Sequence, residues 1–255
     1  LNPEDEELYY ESKRIFLENL DKLDRATKFN IGGILTNYCA GHIMNGNLKF
    51  NSEQFELFKL LLKNDILTKY EGEYFDPYVF SNIIGLSTTL GHITWCQKFI
   101  DKYHDKLNPV DRNNHYYFGM FALNRSQNKL DLALKCLTRV NPKNVMEKIT
   151  VRREEIKTYY DLKYFDEIYS LIKSSKEFVK HDCASSSNSI GGFDYLLNFM
   201  KKLVDINFNP DSGKYDKHYF ENLKNEISEK QFISKSWVLN RLQALEDSAK
   251  WDGHL

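Results

Sequence analysis

Several features are scarce or missing in this sequence, and each absence excludes a class of protein. Lysine and arginine number 35 against 36 aspartate and glutamate residues, so the chain lacks the basic excess that usually accompanies nucleic-acid binding. No apolar run approaches the roughly 18 to 20 residues that cross a bilayer, and no signal peptide is evident. The sequence therefore predicts neither a nucleic-acid partner nor a membrane partner.

Cysteine is also scarce and widely spaced. The four residues are Cys39, Cys96, Cys136 and Cys183, and no two of them form a CxxC pair. Scattered cysteines in a chain of 255 residues are typical of buried thiols in a reducing compartment rather than of a disulfide framework. We therefore expect a cytoplasmic protein.

Signatures of catalysis and metal binding are missing as well. The chain has no HExxH, no GxSxG and no phosphate-binding GxxxxGK[ST] motif. His181, Asp182 and Cys183 are adjacent, but neighbouring residues of a helix point in different directions and cannot converge on one metal or form a proton relay. We expect no catalytic residues, no metal ligands and no cofactor, and hence no enzymatic activity.

Proline, with only five residues, marks the starts of helices. Pro77, Pro109 and Pro142 each follow an aspartate or asparagine at the junction of two apolar-periodic runs, where proline suits the first turn of a helix. Alternating β-branched runs are absent, so strands are not expected. The pattern predicts an all-α protein of about 12 helices, near 4–23, 26–43, 51–66, 77–89, 91–106, 110–125, 128–140, 143–162, 164–180, 190–207, 214–227 and 234–250.

Two segments 35 residues apart share the apolar spacing i, i+3, i+4 and i+7 of one helix face. They are Leu130, Ala133, Leu134 and Leu137, followed by Phe165, Ile168, Tyr169 and Ile172. The segments 111–142 and 146–180 resemble tetratricopeptide repeats, with bulky Tyr117, Phe118 and Phe121 on a first helix and Pro142 closing the unit. This resemblance implies an α-solenoid of stacked antiparallel helix pairs.

The polar stretch CASSSNSIGG, from Cys183 to Gly192, is the strongest candidate for a boundary. It divides the chain into a helical-repeat array over 1–183 and a helical extension over 184–255. We expect the extension to pack on the array, and one continuous domain is the alternative.

A stack of helix pairs curves, and the first helix of each pair lines its concave face. Residues of those helices that packing does not need are candidates for contact with a partner: Tyr78, Asn82, Gly85, His115, Gly119, Arg153, Lys157 and Tyr160. Arg153 can bind a carboxylate. Gly85 and Gly119 let a ligand approach the backbone or, alternatively, admit a neighbouring helix.

The leading functional hypothesis is a scaffold that binds a protein or a peptide and has no catalytic activity. A ligand-sensing regulatory domain of a larger protein is the second hypothesis, which the acidic start and the absence of an initial methionine favour. The third is an enzyme whose acid and base groups are brought together only by folding.

Overall fold

The computed structural model describes residues 6–182, 187–209 and 214–249, with the side chains of 182 and 187–191 excluded. Within these ranges the chain forms twelve α-helices and no strand, so the predicted all-α class is confirmed. The helices are α1 (Glu6–Glu18), α2 (Arg25–Met44), α3 (Phe50–Lys63), α4 (Pro77–Thr89), α5 (Ile93–Tyr103), α6 (Arg112–Ser126), α7 (Leu130–Leu137), α8 (Val145–Leu162), α9 (Phe165–Asp182), α10 (Ser187–Phe208), α11 (Lys217–Glu229) and α12 (Lys235–Ser248). None of these helices combines the length and the apolar character needed to cross a membrane.

Short polar side chains fix where several helices begin. Before α4, Asp76 Oδ1 accepts hydrogen bonds from the backbone N–H groups of Tyr78 at 2.7 Å and Val79 at 3.0 Å, and Pro77 occupies the first turn. Such a cap satisfies donors that have no partner within the helix. Proline and its preceding acid in the sequence therefore mark the start of α4 correctly.

The chain divides into two compact units, Leu1–Asn141 and Pro142–Leu255. The first contains α1 to α7, and the second contains α8 to α12. The predicted boundary between 183 and 184 lies outside the described residues, whereas the pattern of contacts places the division between Asn141 and Pro142.

In the first unit, consecutive helices pack against one another, and α4 also packs against α6. The core is rich in aromatic residues, and its largest fully buried side chains include Tyr9, Phe50, Phe55 and Phe80. Phe75 joins the loop before α4 to the segment after α5, because its N–H donates to the carbonyl of Lys106 at 2.8 Å. Burial of large aromatic side chains thus holds this unit together.

The apolar face predicted on α7 is only partly buried. Ala133 and Leu137 are fully buried, while Leu130 and Leu134 are half-buried. With eight residues, α7 is a short helix, so it covers less of its neighbours than the predicted span 128–140 would.

In the second unit, α10 is the central helix and packs against α8, α9 and α12. Its described core residues share exposures of 4% or less: Phe193, Leu196, Leu197, Phe199, Met200, Leu203, Val204 and Ile206. The Tyr169 hydroxyl on α9 donates to the Asp205 carboxylate on α10. The apolar spacing predicted on α9 is therefore used for packing, with Ile168 and Ile172 buried.

Tyr9 attaches α1 to α2 and α3 within the first unit. Its hydroxyl donates to Glu53 Oε1 at 2.7 Å and lies 3.2 Å from Cys39 Sγ. Because the single hydroxyl hydrogen points at Glu53, the thiol is the donor in the second contact. Burial raises the pKa of Tyr9 well above its usual value, and burial also raises the pKa of Cys39 to about 11, so both groups stay neutral.

We predict that Tyr9→Phe lowers the free energy of unfolding of the first unit by about 1 to 2 kcal/mol, because the substitution removes the hydrogen bond to Glu53 and the polar contact with the buried thiol of Cys39. Urea denaturation measures this difference. Tyr10→Phe on the exposed side of α1 is the matched control and should change stability by less than about 0.5 kcal/mol. Equal effects of the two substitutions would contradict the role given to Tyr9.

Candidate functional site

The predicted partner-contact residues of the first unit differ in their exposure. Tyr78, Asn82 and Gly85 are exposed on α4, and His115 is half-buried on α6. Gly119 is buried, and a Cβ at its position would lie 2.7 Å from Ile84 Cδ1. Gly119 therefore admits the neighbouring helix α4, and its backbone is not available to a ligand.

The predicted partner-contact residues of the second unit are engaged within the unit. Tyr160 is buried, and its hydroxyl accepts a hydrogen bond from Asn207 Nδ2 at 2.9 Å. Arg153 Nε donates to Glu154 Oε1 at 3.1 Å, and Lys157 Nζ donates to Glu154 Oε2 at 2.8 Å. The carboxylate that Arg153 binds thus belongs to its own helix, and Tyr160 serves packing.

Glu154 stays ionised between these two cations. Burial alone would raise the pKa of its carboxyl group, but the charges and hydrogen bonds of Lys157 and Arg153 outweigh burial, so the pKa is lowered. The three side chains form a compact charged cluster on α8, in which one carboxylate is ion-paired with two cations.

The first unit contains a groove of about 820 Å³ bounded by α1, α3 and α5. Its floor is apolar and consists mainly of Leu17, Leu57, Leu60, Trp95, Phe99 and Tyr103. An apolar concave surface with polar groups at its edge is the usual form of a binding site. None of the eight residues predicted from the sequence lines this groove.

Three aromatic residues one helical turn apart form the α5 part of the groove floor. On α5 the rings of Trp95 and Phe99 stack with centroids 5.5 Å apart, and those of Phe99 and Tyr103 stack at 5.1 Å. Phe99 is buried, whereas Trp95 and Tyr103 are half-buried. The stacked rings restrict one another, so α5 presents a preorganised apolar strip.

The edge of the groove is strongly basic. It carries Lys13, Lys59, Lys63, Lys98 and Lys102, with Glu56 as the one acidic residue among the described lining side chains. Lys13 is paired with Glu53 at 2.6 Å, and Lys59 is paired with Glu56 at 2.9 Å. Neither pair involves the other three lysines.

Lys63, Lys98 and Lys102 therefore carry the surplus charge. In the described part of the chain, none of the three has a carboxylate oxygen within 4.0 Å. All three are exposed at the surface. Three uncompensated positive charges beside an apolar floor make this part of an otherwise neutral protein attractive to an anionic partner.

The contact of α1 with α3 shapes the groove. Tyr9 and Lys13, one turn apart on α1, both bind Glu53 of α3, and Leu17 follows one turn later at the groove. Residues one turn apart on α1 thus lead from Tyr9, at the buried contact with α3, to Leu17, in the lining of the groove.

Metal ligands and redox groups do not cluster in the described residues. No group of three or more His, Cys, Asp or Glu side chains is arranged to hold a metal ion there. Cys39, Cys96 and Cys136 are free thiols, of which the first two are buried as the sequence predicts. The predicted Cys183 lies outside the described residues.

No protein-family model, curated protein or solved structure matches this chain. The resemblance of residues 111–142 and 146–180 to tetratricopeptide repeats therefore stays a prediction about architecture.

Proposed function

We propose that this chain is a helical scaffold that binds a segment of another protein in the groove between α1, α3 and α5. The observation that carries the proposal is the open apolar floor, because apolar surface left exposed in a concave site is characteristic of protein-interaction sites. Leu17, which is part of this floor, is itself substantially exposed.

We also propose that each unit is a short stack of antiparallel helix pairs. The support is that α4 packs against α6, α8 against α10, and α10 against α12, in addition to contacts between consecutive helices. Contacts between every second helix are expected when hairpins stack on one another. The three free thiols support action in a reducing compartment such as the cytoplasm.

Selection of a random peptide library against the whole chain tests the proposed function. Peptides bound by the wild-type protein should lose at least roughly tenfold in affinity for Leu17→Asp, because the substitution places a charge on the apolar floor. Ile15→Asp is the matched control, since Ile15 is also exposed on α1 but does not line the groove.

Ile15→Asp should bind the selected peptides with unchanged affinity. The proposal is wrong if no peptide is recovered, or if the recovered peptides bind Leu17→Asp as tightly as the wild type. Circular dichroism of both variants establishes that they fold.

A further inference from the structure

We infer that the occupant of the groove is an acidic amphipathic helix of a partner protein, lying along α5 with its apolar side on the floor. This inference rests on the proposed function and adds the conformation and the charge of the bound segment.

The spacing of the floor residues favours a helical occupant. Trp95, Phe99 and Tyr103 follow one another at i, i+4 and i+8 along α5. At a rise of 1.5 Å per residue this strip is about 12 Å long, which is two turns of a helix. A partner helix that places apolar residues at i, i+3, i+4 and i+7 covers a similar length.

The spacing of the lysines favours the same geometry. Lys59 and Lys63 stand one turn apart on α3, and Lys98 and Lys102 stand one turn apart on α5. The two rows therefore come from two different helices that both line the groove. A helix resting on the floor presents both of its flanks to these rows, so carboxylates spaced by one turn on each flank would meet them.

The balance of charge favours an acidic occupant. Lys59 is already paired with Glu56, but Lys63, Lys98 and Lys102 have no carboxylate within 4.0 Å among the described residues. Lysine side chains can lay their methylene groups against apolar surface while the ammonium group reaches a charge at the edge. Glutamate or aspartate on the partner would supply the missing counter-charges.

Two other classes of anionic partner fit the surface less well. A membrane engages apolar side chains that protrude, whereas this apolar surface is the floor of a groove. A single-stranded nucleic acid needs free aromatic faces for its bases, but Phe99 is stacked on Trp95 and on Tyr103. An amphipathic protein helix uses both the recessed floor and the basic edge.

Fluorescence anisotropy with three labelled peptides tests the inference. The first is a designed peptide of about 16 residues with leucine along one face and glutamate on both flanks. The second has the same composition in scrambled order, and the third replaces each glutamate with lysine. Free peptides of this length are marginal helices in water, so circular dichroism reports a gain of helix on binding.

We expect the acidic amphipathic peptide to bind and to become helical, and the other two to bind at least roughly tenfold more weakly. The double variant Lys98→Glu and Lys102→Glu should lose at least roughly tenfold in affinity for it. The matched control, Lys129→Glu and Lys135→Glu, makes the same change in net charge at two exposed lysines outside the groove and should retain affinity. Lys98→Gln with Lys102→Gln repeats the test with milder changes if the reversed variant does not fold.

Each alternative has a distinct outcome. Equal binding of the scrambled peptide would overturn the helical occupant, and equal binding of the lysine peptide, or an unchanged affinity for Lys98→Glu and Lys102→Glu, would overturn the acidic one. Tighter binding of phosphatidylserine vesicles or of oligodeoxythymidine at the same lysines would overturn a protein partner. If the helical or the acidic occupant is overturned, library peptides whose binding depends on Leu17 would still support the proposed function. Failure of the inference can therefore be distinguished from failure of the proposed function.

Discussion

Replacing Phe80 with alanine is expected to lower the free energy of unfolding of the first unit by about 4 kcal/mol. Phe80 on α4 has 0% of its surface exposed, and its ring lies 5.3 Å from that of Phe99 and 6.1 Å from that of Phe75. Truncation removes this burial and leaves a cavity among side chains that cannot close completely around it. It also removes support from beneath Phe99, which is part of the groove floor.

Urea denaturation followed by tryptophan fluorescence measures the loss, in a background where the other two tryptophans of the chain are replaced by phenylalanine so that only Trp95 emits. Tyr78→Ala on the same helix is the matched control, because Tyr78 is 79% exposed. This substitution should lower the free energy of unfolding by less than about 0.5 kcal/mol. A difference between the two variants below about 1 kcal/mol would show that Phe80 is not a central residue of this core.

Glu154→Gln is expected to lower the free energy of unfolding of the second unit by about 3 kcal/mol at neutral pH. The side chain of Glu154 is only 12% exposed, and it forms ion pairs with both Arg153 and Lys157. The amide that replaces it carries no charge, so the two cations would remain partly buried and would repel each other.

The pH dependence of this effect follows from the lowered pKa of Glu154. In the unfolded chain the carboxyl group titrates near 4.5, and in the folded protein it titrates below that value because of Lys157 and Arg153. Its contribution to stability is therefore complete above pH 4.5 and is lost as the pH falls through the folded pKa. The difference between wild type and Glu154→Gln should shrink correspondingly in acid.

Hydrogen exchange of peptides from α8, measured by mass spectrometry at neutral and acid pH, gives both results. Glu167→Gln on α9 is the control, since Glu167 is exposed and its substitution should leave exchange unchanged. A difference between wild type and Glu154→Gln that stays constant with pH would exclude the ionised carboxylate as its cause.

The helices could be predicted from the sequence because their signals are local. Asp76 and Pro77 mark the start of α4 by capping and by a fixed backbone angle, and the apolar spacing at Ile168 and Ile172 identifies the buried side of α9. The incomplete burial of Leu134 shows what local signals do not determine. Its spacing places it on the apolar face of α7. How far it is buried depends on how much of this short helix is covered by neighbouring helices.

The groove could not be predicted because its floor depends on three helices that are distant in sequence. Trp95 and Phe99 fit a packing pattern in the sequence, and only the placement of α1 and α3 shows that Trp95 remains at an open surface. A signal was nevertheless present. The aromatic residues at 95, 99 and 103 alternate with lysines at 98 and 102, so that a basic strip borders an apolar one on the same helix.

Gly119 and Tyr160 show a further limit of reasoning from local spacing. Both lie on helices that the repeat pattern assigns to a concave face, yet Gly119 contacts Ile84 and Tyr160 is buried beside Asn207. Amphipathic spacing identifies the face that packs on the nearest neighbour, but it does not show where a second neighbour covers the opposite side.

Occupation of the groove by a protein segment is the central claim, and the indole N–H resonance of Trp95 reports it most directly. In a ¹⁵N–¹H spectrum of the whole chain, titration with a library-selected peptide should shift the Trp95 signal along the binding curve. Trp237 of the second unit should keep its position and serve as an internal reference. A saturated complex in which the Trp95 signal has not moved would contradict the account.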